Sequence, residues 1–470
     1  MSYEILQQNP ESSDYGAFRA VLYEQSNRPP LNDRHLAAYT RALHELTDPE
    51  HGNTVVQSAA QDIIQKRRTA EQADRDEVVV INPSSTVNMF IHGLKAFHSG
   101  LFETNTTNPH DMADLIKDTM LFRADSIESH KAVWRNILCD TDNRERFTDN
   151  VVNKRAKSAV IERAVGLKIA MHLLRPALIG KEQVLDVGGS SGIVLGNIVL
   201  NRFNHSFAIN PGGALGEDVK NRIESVEEVL NLITEHPVDI AMALNVDLDD
   251  PSDPEVKKWI AANSFYLQEF ENTRRLLEYN YLHNPERMAA EDRRKIAKII
   301  FQKMDILDIG SLREMTKEPK YAEVQKIFGI VNFSTMLHQL QPEDRIKALS
   351  NIKMFIRHVQ QDTGKRGFVV VQDFCYVDPQ DKRHLRFYDK WFSPDETDDG
   401  DTAHHYRLNV LDMGDEEEGF QELLRWQNAR CTHAQIGDGT VRLDLSSSKR
   451  YTVLDMIDNF LKNYSKRVRS

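Results

Sequence analysis

Cysteine is scarce in this chain. Its 470 residues include three, Cys139, Cys375 and Cys431, far apart and without a C-x-x-C pair. That spacing excludes a disulfide framework and a structural zinc ribbon, and makes a reducing cytoplasm the expected setting. Long apolar runs are missing too: no stretch of eighteen apolar residues occurs, so no membrane span is expected. The opening MSYEILQQNPESSDYG has neither a basic n-region nor an apolar h-region and does not read as a signal peptide. Positive charge is in the minority, 59 Lys and Arg against 71 Asp and Glu. The net charge of −12 argues against a protein that coats nucleic acid by bulk electrostatics. Internal repeats and low-complexity tracts are also lacking. What remains is an ordinary globular composition, long enough for two or three domains with a large core.

The first third is patterned for helices. Residues 1 to about 30 are polar, with Pro10, Pro29 and Pro30, and read as an irregular lead-in. Leu36, Tyr39, Leu43 and Leu46 then step by three and four, as do Val56, Ala60 and Ile63. Val78–Ile81 fits one short strand, and Ser85 fits an N-cap for a helix over Val87–Phe97. Further helices are expected at His110–Phe122 and Ser126–Leu138. Residues 1–150 therefore read as a mainly helical domain without a catalytic constellation. Packing or homodimerisation is one role for it, a lid over a substrate the other.

From Asn153 the pattern alternates. A helix carrying Val160, Ala164, Leu167, Met171 and Leu174 stops at Pro176 and delivers the chain to a strand at Gln183–Val187. Later strands are expected at Val238–Val246, Lys298–Phe301, Ile330–Phe333 and Gly367–Gln372. Helices intervene, including a long one from Asp253 to about Tyr281 and another at Pro342–Val359. Such alternation argues for a right-handed parallel βαβ sheet. The awkward segment is 203–237, with a short strand at Ser206–Ile209, an N-P-G-G turn and a helix. Past Asp373 the sequence suggests an acidic aromatic loop (374–406), a strand (Arg407–Met413), a helix (Phe420–Arg430), a hairpin-like Thr432–Leu445, and an amphipathic helix carrying Val453, Ile457, Phe460 and Tyr464.

The stretch that organises all this is KEQVLDVGGSSGIVLGNIVLNR, residues 181–202. A buried strand, a glycine turn and an apolar helix follow one another, with Asp186, Gly188, Gly189, Ser190 and Gly192 at the corner. Glycine there lets a ligand approach the backbone, and the helix N-terminus beyond it offers unpaired N–H groups. The glycines do not fit the dinucleotide spacing G-x-G-x-x-G, which disfavours a nicotinamide-linked oxidoreductase.

An acid two residues before the first glycine, with a second glycine four after it, resembles motif I of the class I S-adenosylmethionine-dependent methyltransferases. Acidic strand ends follow in ALNVDLDD and QKMDILD, then Leu-His-x-Leu after a fourth strand and G-F-V-V-V-Q-D as a fifth. Together these features resemble that family from Asn153 to about Leu445. The resemblance implies an α/β fold: a Rossmann-like, mostly parallel seven-stranded sheet with helices on both faces, over residues 151–470 with an insertion at about 203–237. It implies S-adenosyl-L-methionine as cofactor and methyl transfer to a small-molecule acceptor. Asp186, Gly188, Gly189, Ser190 and Gly192 would meet its methionine portion. Asp247, with Asp249 as alternate, would hold the ribose hydroxyls, which a carboxylate can accept from together. Asp247 lies 55 residues past Gly192, further than the family's spacing. Either 203–237 is an insertion, the favoured reading, or the second strand is Ser206–Ile209, ending in Asn210. Asp305 would meet the adenine amino group with Ile306 beside the ring, and Asn332 and Ser334 stand where cofactor and acceptor meet. His338 corresponds to the position of a proton-abstracting histidine in plant-type O-methyltransferases, and equally to a packing element common in the superfamily. The aromatics of Phe387–Phe392 and the pair His404–His405 lie where acceptors are often covered; two adjacent histidines without a third ligand make a poor metal site, and no metal is expected. A methyltransferase-fold protein that binds or assembles without turnover is the alternative reading.

Overall fold

The computed structural model describes residues 10–27, 34–72, 83–105, 111, 115, 124–154, 163–175, 182–190, 192–201, 207–209, 217–250, 253–263, 288–308, 310, 329–364, 366–388, 406–426, 433–437, 441–442 and 450–468. The chain divides into two compact units, residues 1–159 with 253–280, and residues 160–252 with 281–470. The division thus differs from a single cut at 150/151, because a segment beyond the glycine corner belongs with the N-terminal unit.

The first unit is helical among its described residues: α1 (Pro10–Asn27), α2 (Arg34–Leu46), α3 (Thr54–Gln72), α4 (Pro83–Ser99), α5 (Ile127–Leu138), α6 (Thr141–Asn153) and, from the later segment, α10 (Pro254–Asn263). The lead-in expectation is corrected by α1. Phe18 and Leu22 are buried on it, so packing organises a stretch whose composition suggests a loop. Ser85 is not an N-cap either, since α4 begins at Pro83, whose fixed φ and missing N–H suit a first turn. Ser126 does cap α5, its side chain accepting from Ser129 N–H at 3.2 Å. The core gathers Phe18, Tyr39, Phe90, Trp134, Phe147 and Trp259. The 78–81 strand and nearly all of the 110–122 helix lie outside the described residues.

The second unit is α/β. Among the described residues nine strands form one sheet: β1 (Glu182–Val187), β2 (Ala208–Ile209), β3 (Ile240–Asp247), β4 (Ile299–Lys303), β5 (Ile330–Ser334), β6 (Phe368–Asp373), β9 (Tyr406–Asp412), β10 (Phe420–Trp426) and β11 (His433–Ile436). Their order is β2-β11-β10-β9-β6-β5-β1-β3-β4. The run β6-β5-β1-β3-β4 is parallel throughout, while β9, β10 and β11 continue as an antiparallel meander, with β2 parallel to β11 at the edge. Two small antiparallel pairs, β7 (Cys375–Val377) with β8 (Leu385–Phe387) and β12 (Val441–Arg442) with β13 (Arg450–Tyr451), form separate two-stranded sheets. The expected seven strands are therefore corrected to nine of mixed direction. The expected helix at Phe420–Arg430 is the strand β10, and the Thr432–Leu445 hairpin is divided, β11 pairing with β10 and β12 with β13.

The described α-helices of this unit are α7 (Arg163–Leu174), α8 (Ile193–Leu200), α9 (Glu217–Glu235), α11 (Ala290–Ile296), α12 (Pro342–Thr363) and α13 (Val453–Val468). One sheet face is apolar over most of its central strands, with Asp373 at the end of β6 and Asn409 and Arg407 of β9 buried on the same side. Leu185, Val187, Leu244, Val246, Val331, Phe333, Val369 and Val371 pack there with Ile352, Phe355, Ile356 and Val359 of α12. The opposite face, on which α7 packs, is interrupted by polar residues at the carboxyl ends of the central strands.

Candidate functional site at the carboxyl ends of β1, β3 and β5

Register places the polar residues in rows. Asp186 of β1 is the direct partner of Asn245 on β3 and of Asn332 on β5, so the three share one sheet face. All three are buried. Burying amides and a carboxyl in a parallel sheet is costly unless they find partners, and this row is only partly satisfied. Asn332 Nδ2 donates to Asp186 Oδ1 at 2.7 Å, and Asn245 Nδ2 donates to the Ser190 carbonyl at 3.0 Å. The remaining oxygens, Asp186 Oδ2, Asn245 Oδ1 and Asn332 Oδ1, meet no donor among the described residues.

Above the row the chain turns sharply. Gly188 sits at φ +70°, Ser190 at +50° and Gly192 at +73°, where Gly192 is the N-cap of α8. The turn is pinned to β3: the N–H groups of Gly188 and Gly189 donate to the Val246 carbonyl at 2.8 and 3.2 Å, and Ser190 N–H donates to Asp247 Oδ2 at 2.9 Å. A side chain at Gly188 would be strained by φ and would bring its Cβ within 2.6 Å of Met336 Cγ. At Gly189 a Cβ would collide with Asn245 Oδ1 and lie 2.8 Å from Asp186 Oδ2.

The structure brings together Asp186, Gly188, Gly189, Ser190, Gly192, Asp247 and Asn332, and adds Asn245 and Met336, which the sequence reading missed. Asp247 ends the strand hydrogen-bonded to β1, whereas Ser206–Ile209 contains β2 at the far sheet edge; of the two candidate second strands, the neighbour of β1 is the one ending in Asp247. The half-buried Asp247 carboxylate also accepts Asp249 N–H at 3.2 Å. Asp249 thus contributes its backbone to the Asp247 turn. Asp305, one strand further, is exposed and accepts Leu307 N–H at 2.9 Å, while Ile306 is buried in the apolar core. Ser334 ends β5, half-buried, in register with Gln372. Asp186 titrates high: burial, then the nearby Asp247 charge, push its carboxyl up to about 7 against the lowering hydrogen bond from Asn332.

His338 lies in a short 3-10 turn after β5 (Leu337–Gln339), away from the row. Its Nδ1 meets Asp373 Oδ1 at 2.5 Å, its N–H donates to Asp373 Oδ2 at 3.2 Å, and the Phe374 ring stands edge-on to it. Burial raises the Asp373 carboxyl, but the His338 charge, its hydrogen bond and those from the Phe374 and His338 amides outweigh this and leave it below the usual range. The imidazole is 1% exposed. This is a buried pair tying the β5–α12 turn to the end of β6. Thr335, just before it, holds φ +55°, rare for a β-branched residue, and its hydroxyl meets the Tyr406 hydroxyl at 2.7 Å. The residues of 389–405, His404 and His405 among them, lie outside the described residues. Among the described residues no group of three or more His, Cys, Asp or Glu is placed to hold a metal ion, and no helix is long and apolar enough to cross a membrane.

No protein-family model matches the chain, and a search of curated proteins finds no match either.

Proposed function

We propose that the second unit binds S-adenosyl-L-methionine at the β1 corner and transfers its methyl group to a small-molecule acceptor. The observation that carries this reading is the row Asn245–Asp186–Asn332, rich in acceptors beneath a tight glycine turn. A cationic head suits such a site, because each N–H satisfies an oxygen that is otherwise desolvated at a cost. A pyrophosphate does not suit it: the Asp247 carboxylate stands at the corner, where like charge at short range is unfavourable, and the buried oxygens of the row offer acceptors to a group that needs donors. The same argument disfavours a dinucleotide independently of the glycine spacing.

In this reading Asp186, Asn245 and Asn332 take the ammonium end, and Asp247 takes the ribose hydroxyls while bracing Ser190. Asp305 meets the adenine edge. When bound, the cofactor supplies an electrophilic methyl group on a sulfonium. The chain's part is orientation and exclusion of water, which can account for much of the rate of an in-line displacement. His338 acts as base only for an acceptor able to reach its Nε2. Its burial favours a structural role and lends support to a second reading, a binding protein of the same fold without turnover.

Calorimetric titration with S-adenosylmethionine and S-adenosylhomocysteine tests the proposal. Micromolar binding by the unaltered protein is expected, lost in Gly188→Val and weakened about tenfold or more in Asp247→Ala, the worth of a charge-assisted hydrogen bond. No binding by protein checked free of copurified cofactor would sink the cofactor reading. Binding without methyl transfer to any fraction of a metabolite extract would favour the second reading.

A further inference from the structure

The buried row has a proton to account for. Asn245 donates its Nδ2 to the Ser190 carbonyl, which turns its Oδ1 towards Gly189. Flipping the amide would set two carbonyl oxygens against each other, so the orientation is fixed by the turn. Asp186 Oδ1 is committed to Asn332, and its Oδ2 also converges on Gly189. Both acceptors are therefore buried beside Gly189 without a donor among the described residues. One proton on Asp186 Oδ2 would serve both, because the carboxyl then becomes a donor and the Asn245 carbonyl can accept from it.

We propose that Asp186 is the neutral, proton-bridging member of this row in the free protein, and that a cationic ligand head binds by displacing that proton to solvent. The exchange balances: Oδ2–H···O=C is replaced by N–H···⁻O and N–H···O=C from the incoming ammonium, and one proton leaves to buffer. Surrounding charges support it. Asp247 on β3 raises the cost of ionising Asp186, α8 (IVLGNIVL) carries no ionisable residue, and the β5 residues Ile330–Ser334 carry none. Lys168 of α7 is engaged with Asn201 and the Thr234 carbonyl, and His338, in the turn after β5, with Asp373. Burial and the Asp247 charge push the Asp186 carboxyl up to about 7, in the direction the geometry requires. The consequence is regulatory: affinity for the cation rises with pH until Asp186 is ionised unaided, then levels.

The identity of the ligand rests on the cofactor reading above; the resting proton does not. Infrared difference spectra of protein labelled at the Asp carboxyl carbon test the proton directly. A protonated carboxylic band is expected at pH 6, absent from Asp186→Asn and titrating about one pH unit lower in Asn245→Ala, the worth of one neutral hydrogen bond. An unaltered protein without that band at pH 6 overturns the proposal, whatever it binds. Calorimetry with S-adenosylmethionine at pH 6, in buffers of differing ionisation enthalpy, then tests the exchange. Release of about one proton per ligand is expected, and none from Asp186→Asn. Binding with no proton release overturns the exchange. Failure of S-adenosylmethionine to bind counts against the cofactor instead and leaves the spectral result to decide the resting state.

Discussion

At the residue scale the corner is decided by what lies against its glycines, Met336 at Gly188 and Asn245 at Gly189. Gly188 is glycine for two separable reasons, its φ of +70° and the side chain of Met336 lying against it. The first costs an L-residue about 1–2 kcal/mol, and the second adds a steric term that depends on Met336 alone. Gly188→Ala is therefore expected to destabilise the protein less in a Met336→Ala background, with a coupling on the order of 1 kcal/mol and a remaining penalty from φ. Chemical denaturation of the four proteins measures it. Equal penalties in both backgrounds would show that Met336 yields freely and plays no part in keeping this position open. The sequence makes the glycines and both carboxylates legible, because turn and acid are local signals. It hides Asn245 and its place in the row. The repetition L-D-V-G, L-N-V-D and V-N-F-S at the ends of β1, β3 and β5 is the available signal, and it acquires meaning only once the strands are known to be adjacent and in register.

Elements differ in how far local pattern determines them. The central strands are plain in the sequence because a parallel sheet buried on both faces reads as short continuous apolar runs. The same continuity obscures β10: Phe420, Leu423 and Leu424 fit a helical stripe, yet all are buried in a strand between β9 and β11. A different device joins the helices. Lys168 of α7 is buried and reaches Asn201 at the C-cap of α8 and the Thr234 carbonyl near the end of α9, where a cation also meets the helix dipole favourably. Desolvation holds its ammonium down at about 7, against the raising charge of Glu235. Lys168→Met leaves the buried Thr234 carbonyl and the half-buried Asn201 side chain without this donor and is expected to cost about 1–3 kcal/mol. The sign with pH follows from the depressed value. Between about 7 and the ordinary lysine range the unfolded chain binds the proton and the folded chain does not, so wild-type stability rises with pH while the variant lacks this contribution. The loss caused by Lys168→Met should be larger at pH 9 than at pH 6. A loss that shrinks on raising the pH would mean that the ammonium, rather than the amine, fills the site.

For the whole molecule the decisive feature is a chain that leaves the α/β unit after β3 and contributes α10 to the helical one. Sequence order alone hides this, because a helix following a strand is the normal step of a βαβ unit. Its packing reveals it: Trp259, Ala261 and Ala262 of α10 belong to the same core as Phe90 and Trp134. Lys154, after α6, rests its ammonium 4.5 Å from the centre of the Phe102 ring and 5.5 Å from that of Trp259. The helical unit is consequently incomplete as residues 1–159. That fragment exposes the apolar surface which Trp259 covers, and a buried aromatic of this size is worth about 3–5 kcal/mol on truncation to alanine, a large share of the stability of a domain. Residues 1–159 alone are expected to bind a hydrophobic dye and to melt without a sharp transition. A peptide spanning 253–280, added in trans, should suppress the dye signal and restore cooperativity, and the same peptide with Trp259→Ala should not. A fragment that melts cooperatively without the peptide would show that α10 decorates a finished domain, and the two units would then be separable at the first boundary.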